Sequence, residues 1–306
     1  MDRRDFLVAA ATAPIVLRER KELALVTADL ESAVVVVDPF AGRVLRRVAT
    51  RADPRSIERV RETAVVTHTA IGEVSLLRGF AVQHVLQGFG EPRYTAGSRD
   101  GRYAYVTDSG RADLAVVDVM RARVVARLHL GGWPRHVSID PVGSTLWVAL
   151  GTAARTLAVV DVTRPAHPRH VGTVRPPFRL HDVGFVPVTG HVWVTSGDRG
   201  VVAIHDARNG RVLRRLPAGS PPQHVTFDRG RAFVTSGDDG TLRVHALDGR
   251  LLRVTAIPVG SYNIQRGPGR ILTPSLAKGT LCVLGEAGDV MRRVKVASSS
   301  HDACFA

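Results

Sequence analysis

Four histidines, His136, His181, His224 and His301, stand at matching points of a repeating pattern, and two of them are followed by aspartate, as His181-Asp182 and His301-Asp302. A neutral imidazole is the commonest protein ligand for zinc, copper and iron. His136, His181 and His224 belong to consecutive units, so neighbouring strands could bring three rings to one ion. Asp182 would then be a fourth ligand, or a carboxylate behind one of the rings. The same residue types suit other chemistry, since a His–Asp pair is also a general base with its orienting group. A repeat copies residues for packing as readily as for function, and a buried imidazole needs a hydrogen-bond partner in any case. Structural histidines are therefore the expectation, with metal ligation by His136, His181 and His224 as the alternative. No cofactor other than such a transition-metal ion is called for. No Ser or Cys sits in a nucleophile elbow, and no glycine-rich phosphate loop follows a strand. Ser236-Gly237-Asp238-Asp239-Gly240 lacks the oxygen count of a calcium loop, and its aspartates read as turn formers.

The elements that must position these residues are short strands. In the stretch from Pro222 to Asp248 three apolar/polar alternations of period two begin at His224, Arg231 and Thr241, separated by Asp228-Arg229-Gly230 and by the Ser236–Gly240 cluster. Such alternation marks strands, and Gly with Asp or Ser supplies reversals between antiparallel neighbours. A fourth strand runs from Arg250 to Ile257. Third strands end at Asp38, Arg78, Asp118, Asp161, Asp206, Ala246 and Gly285, a period of about 40 residues that indicates a propeller of four-stranded blades. The expected fold is all-β: a seven-bladed β-propeller with four antiparallel strands per blade and almost no helix. The first unit, from Leu23 to Ala49, lacks an inner strand, and Ser300 to Ala306 is an orphan resembling Leu180–Val186. The C-terminal strand is thus expected to complete the first blade and hide its open edge. Residues 21–306 form one propeller domain, and residues 1–20 stand outside the repeat.

In such a ring each inner strand lines a central channel, and the entries to all seven open on one face. The residues at those entries are Arg55 and Ser56, Arg93 and Tyr94, Arg135 and His136, His181 and Asp182, Gln223 and His224, Tyr262 and Asn263, and His301 and Asp302. A polar channel mouth of this kind is expected to bind a small molecule or a protein partner. An alignment on Pro141 and Pro187 places Asp182 rather than His181 opposite His136. In that register the His–Asp pairs present the carboxylate to the channel and the imidazole to the rim, because a one-residue slip reverses the faces.

The net charge is +14, and all but Lys21, Lys278 and Lys295 of the 42 basic residues are arginine. They are spread through the outer strands, which argues for a solvated rim over a nucleic-acid surface; anion or nucleic-acid binding through that surface is the remaining alternative. Cys282 and Cys304 fall on different blades and are expected to be buried free thiols. A monomer is expected. At the N-terminus two arginines precede an apolar stretch, with Ala11-Thr12-Ala13 as a small-residue cleavage signature. Phe6 to Leu17 is too short for a membrane span, which needs about 20 residues.

Arg3-Arg4-Asp5-Phe6-Leu7 resembles the twin-arginine export motif, departing from it at Asp2 and Val8. Tyr105-Val106-Thr107-Asp108 resembles the Tyr-Val-Thr-Asn signature of the YVTN-type seven-bladed propellers. The unit from Ile139 to Val162, with its Asp-Pro-x-Gly turn and Val-Val-Asp-Val strand, is similar to that family's repeat. The resemblance spans Leu23 to Ala306 and implies an exported or surface scaffold without one shared activity; a cytoplasmic protein is the alternative. It also implies that a histidine at the strand entry hydrogen-bonds the neighbouring loop. Virginiamycin B lyases, similar in fold class, use a histidine on this kind of face. A lyase or metal-assisted hydrolase acting through the His/Asp cluster is the enzymatic alternative to a binding scaffold.

Overall fold

The computed structural model describes residues 22–306, so the export-motif reading of residues 1–20 lies outside the described residues. Seven sheets of four antiparallel strands form the ring, and the only helical pieces among the described residues are two single 3-10 turns, Asp29–Glu31 and Thr69–Ile71. The inner strands are Pro54–Val60, Pro92–Gly97, Val137–Ile139, Leu180–Phe185, Val225–Asp228, Gln265–Gly267 and Ala303–Phe305. The last of these belongs to the first blade, beside Ala24–Ala28, Ala33–Asp38 and Arg43–Ala49. Ala24 pairs with Phe305, Leu25 with Cys304 and Val26 with Ala303, and the Thr27 amide donates to the Asp302 carbonyl at 2.9 Å. The chain ends close the ring as their patterns require.

The strand Ala33–Asp38 shows why its sequence suits a blade interior. It is an uninterrupted apolar run, because a middle strand is covered on both faces. Val34 and Val36 pack with Ile57 and Val66 of the second blade, whereas Val35 and Val37 pack with Leu281 and Val283 of the seventh. The core is accordingly a series of clusters, one in each gap between blades. The outer strand Arg43–Ala49 has only Val48 buried, and its arginines face solvent. Cys282 and Cys304 are both buried and unpaired.

A buried threonine on the second strand ties blade to blade. Thr67 accepts from the Ser56 amide of its own inner strand and donates to the Arg93 carbonyl of the next blade at 2.9 Å. Thr107 does the same between Tyr94 and Arg135, and Thr195 between Asp182 and Gln223. Thr27, Thr235 and Thr273 stand at the matching positions. The fourth blade has Ala149 instead, and there a longer loop crosses to the fifth blade through the Ala154–Leu180 bridge. That loop brings a carbonyl, Thr152 O, to His181.

Candidate functional site

The strand entries are shaped by β-bulges. Pro54 pairs with His68 and Ile57 with Val66, so Arg55 and Ser56 together oppose Thr67; Arg93 and Tyr94 oppose Thr107, and His181 and Asp182 oppose Thr195, in the same way. A bulge re-aims side chains that strict alternation would send to opposite faces. In the fourth and sixth blades the equivalent residues, His136 and His224, lie just before a short inner strand.

Three imidazoles and a phenol meet as a result. The His136 ring centroid is 4.7 Å from that of His181, 4.6 Å from His224 and 4.2 Å from Tyr94. One ligand atom from each of His136, His181 and His224 lies within 4.8 Å of the others. Nitrogens around a tetrahedral zinc are about 3.3 Å apart at ordinary Zn–N lengths, so the three rings would draw closer to share one ion. His224 directs Nδ1 at Asp182 Oδ2, 3.3 Å away, and His181 directs Nδ1 at the Thr152 carbonyl, 3.2 Å away. With the proton on Nδ1, each keeps the Nε2 lone pair free, the tautomer that metal-binding histidines are held in by such partners. His136 is only 1% exposed, and neither of its ring nitrogens has a hydrogen-bond partner; the His181 main chain offers a favourable contact short of hydrogen-bond geometry. Burial, then the neighbouring His224 and His181, hold the His136 pKa well below the usual imidazole range. Burial and the same His224 take His181 down to about 3. Both rings are therefore neutral at physiological pH, the form that can ligate.

The carboxylates follow the second of the two expected registers: Asp182 and Asp302 line the channel cavity, and His181 and His301 do not. Asp182 accepts from the Val225 amide of the next blade at 3.1 Å and backs His224, so it orients a ring while also lining the channel. Asp302 accepts from the Ile57 amide at 3.1 Å, and burial raises its pKa to about 6. His301 is apart from the other three histidines: its Nδ1 is held by the Arg55 carbonyl at 2.9 Å. Asn263 donates to the His301 carbonyl at 2.7 Å. Gln223 accepts from the Gly237 amide at 2.6 Å and donates to Asp238, which also accepts from the Tyr262 hydroxyl at 2.9 Å. The Tyr262 ring lies so close over Gly237 that any side chain there would collide with it. Of the two aspartates read as turn formers, Asp239 caps Thr241 as expected, whereas Asp238 anchors mouth residues. Arg55 faces Asp29 at 3.8 Å, and Arg93 is paired with Glu91 at 2.7 Å. Arg93 and Arg135 both lie against Trp133, with guanidinium carbons 4.6 and 5.4 Å from its ring centroid.

The open space is the channel, and it is lined by one residue of every entry pair: Ser56, Tyr94, His136, Asp182, His224, Asn263 and Asp302. A cavity of about 620 Å3 follows the inner strands from His136 and His224, past Glu58, Ser138, Thr226 and Gln265, to Arg61, Arg99 and Arg266 at their far ends. The cluster thus seals the entry end, and the cavity begins beneath it. Glu58 accepts from Gln265 at 2.8 Å, and burial followed by the nearby Asp302 raises its pKa to about 8. Glu58 and Trp133 were not among the residues picked out from the sequence, and Asp238 was read there only as a turn former. Glu58 could have been found two positions beyond Ser56 on its inner strand, the spacing of one strand face.

No family model and no curated protein sequence matches the chain. Among solved structures it is similar to a functionally unknown protein from Desulfotomaculum acetoxidans, with a TM-score of 0.79 at 11% identity over 92% of this chain and 98% of that one. It is similar to hydrazine synthase from Kuenenia stuttgartiensis, TM-score 0.70, 17% identity, over 87% and 95% of the two chains. It is also similar to apo AztD from Citrobacter koseri, TM-score 0.70, 12% identity, over 93% and 98%. At these identities the likeness is one of fold alone: the chain is a seven-bladed β-propeller scaffold.

Proposed function

We propose that this propeller is an exported binding scaffold whose ligand is a first-row transition-metal ion, held by His136, His181 and His224 at the closed end of the channel. The observation that carries the reading is His136, a buried imidazole with both ring nitrogens unpartnered beside two imidazoles whose Nδ1 atoms are already engaged. Leaving a buried polar group unpaired costs roughly 1–3 kcal/mol, and a shared ion removes that cost for the nitrogen that ligates it. Three neutral nitrogen donors suit zinc, copper or iron rather than calcium or magnesium. The Arg3-Arg4-Asp5-Phe6-Leu7 stretch supports delivery outside the cytoplasm, and no helix among the described residues is long and apolar enough to cross a membrane.

A second reading, a lyase or hydrolase, is favoured by Glu58. Three protein ligands leave a coordination position open, as catalytic sites do, and a metal there would polarise the group bound to it. Glu58, held protonated and facing the same cavity, is placed to give a proton to a molecule in that space. The test of the main reading is elemental analysis of protein purified without chelator. About one equivalent of a first-row metal, lost when His136 is replaced, is the expected result; no stoichiometric metal after incubation with zinc, copper and iron and removal of excess overturns it.

A further inference from the structure

We infer that Arg55, Arg93 and Arg135 form a binding site for a small oxyanion, a carboxylate or a phosphate group, over the sealed end of the channel. The inference names a co-ligand for the metal reading and rests on it only in part. The three arginines come from consecutive blades, the second, third and fourth, and enter at equivalent positions. Their charges are unequally matched. Arg93 is paired with Glu91 and Arg55 lies near Asp29, but Arg135 has no ion pair among the described residues.

Their geometry is built. Trp133 lies against the guanidinium groups of both Arg93 and Arg135, and Tyr94 gives Arg135 a second aromatic contact at 5.7 Å. Aromatic faces hold cations in place without neutralising them. The Nε atoms of Arg93 and Arg135 are buried and have no hydrogen-bond partner. A guanidinium presents its donors as a planar fork that matches a carboxylate or phosphate edge, so two unused donors on adjacent arginines point to an absent acceptor.

Electrostatics point the same way. Burial, and then Arg135 and Arg55, push the Arg93 pKa down, against the pull of Glu91. Arg135 and Arg55 thus repel the Arg93 guanidinium, and a metal ion beneath them would add to the repulsion. An oxyanion held by the arginines offsets both.

The experiment is calorimetric titration of inorganic phosphate, and separately of acetate, into the full chain at fixed ionic strength, with chloride as control and metal content measured on the same samples. Saturable binding of one equivalent of phosphate or acetate is expected, weakened on the order of tenfold or more by Arg135→Gln. Phosphate alone binding would assign a phosphate ligand, and acetate alone a carboxylate. Arg93→Gln serves as the second variant should Arg135→Gln fail to fold, with the same expected loss. The absence of saturable binding, or unchanged affinity in a variant that melts as the wild type does, overturns the inference. Anion binding in protein that takes up no metal sustains the arginine site and removes the three-histidine reading. Metal binding without anion binding does the reverse.

Discussion

Replacing His136 with leucine separates a ligating histidine from a structural one by the sign of the stability change. In a structural role the ring would hold a hydrogen bond, and its loss would cost about 1–3 kcal/mol. Here neither nitrogen reaches hydrogen-bond geometry, the His181 main chain offering only a weaker contact, so without metal the wild type already carries much of that penalty. Leucine carries no such groups, and its neighbours would be Tyr94, His181 and His224, whose ring centroids lie 4.2–4.7 Å from that of His136. In the presence of chelator His136→Leu should therefore be as stable as the wild type or more so, by on the order of 1–3 kcal/mol. With zinc in hundredfold excess over its dissociation constant, the wild type should gain about 2.7 kcal/mol and the variant almost none. The order of stabilities thus reverses between the two conditions. Urea unfolding followed by circular dichroism, with EDTA or with zinc, reads it directly. A variant less stable than wild type in EDTA by more than about 1 kcal/mol would mean that His136 has a partner and a structural role. A wild type indifferent to zinc, copper and iron would sink the metal site.

Glu58 makes stability depend on pH. Its pKa rises from 4.5 to about 8 on folding, so between those values the folded protein keeps a proton that the unfolded chain has released, and stability falls as pH rises through that window. The full linkage is about 5 kcal/mol, an upper bound because the side chain retains partial contact with the channel. Glu58→Gln should melt with the wild type near pH 4.5 and above it at pH 8; parallel profiles refute the assignment. Deleting Ala303–Ala306 removes three strand pairings and the buried Phe305, whose burial alone is worth roughly 2–3 kcal/mol. With the exposed inner edge the loss should approach the whole stability of a domain, seen as aggregation or a much lower melting temperature, and an unchanged melting temperature contradicts ring closure by this strand. Changing Arg3 and Arg4 together to lysine should keep the protein in the cytoplasm, because an export receptor reads the guanidinium pair; equal fractionation of variant and wild type removes the export reading.

The blades were legible in the sequence because everything that makes one is local. Val34 to Val37 read as a middle strand from their own apolarity, Asp228-Arg229-Gly230 as a turn from its own φ requirements, and Ser300–Ala306 as a displaced inner strand from its likeness to Leu180–Val186. The third-strand ends from Asp38 to Ala246 fall where the structure has them, and only the last, Leu284 rather than Gly285, differs by one residue. The seven entry positions were legible too, since the repeat marks them. What each entry residue does was not. Whether His181 or Asp182 meets the other rings depends on a bulge that puts both opposite Thr195, and local alternation carries no sign of it. The threonine ties between blades and their break at Ala149 came from the structure, as did the consequence, a Thr152 carbonyl on His181, which required the loop's path to the fifth blade. The pKa of Glu58 and the position of the cavity depend on side chains from several blades converging on the axis. Burial and distance between units that are far apart in sequence exist only after the ring has closed, and those two quantities decide which histidines can share an ion and which merely hold a strand.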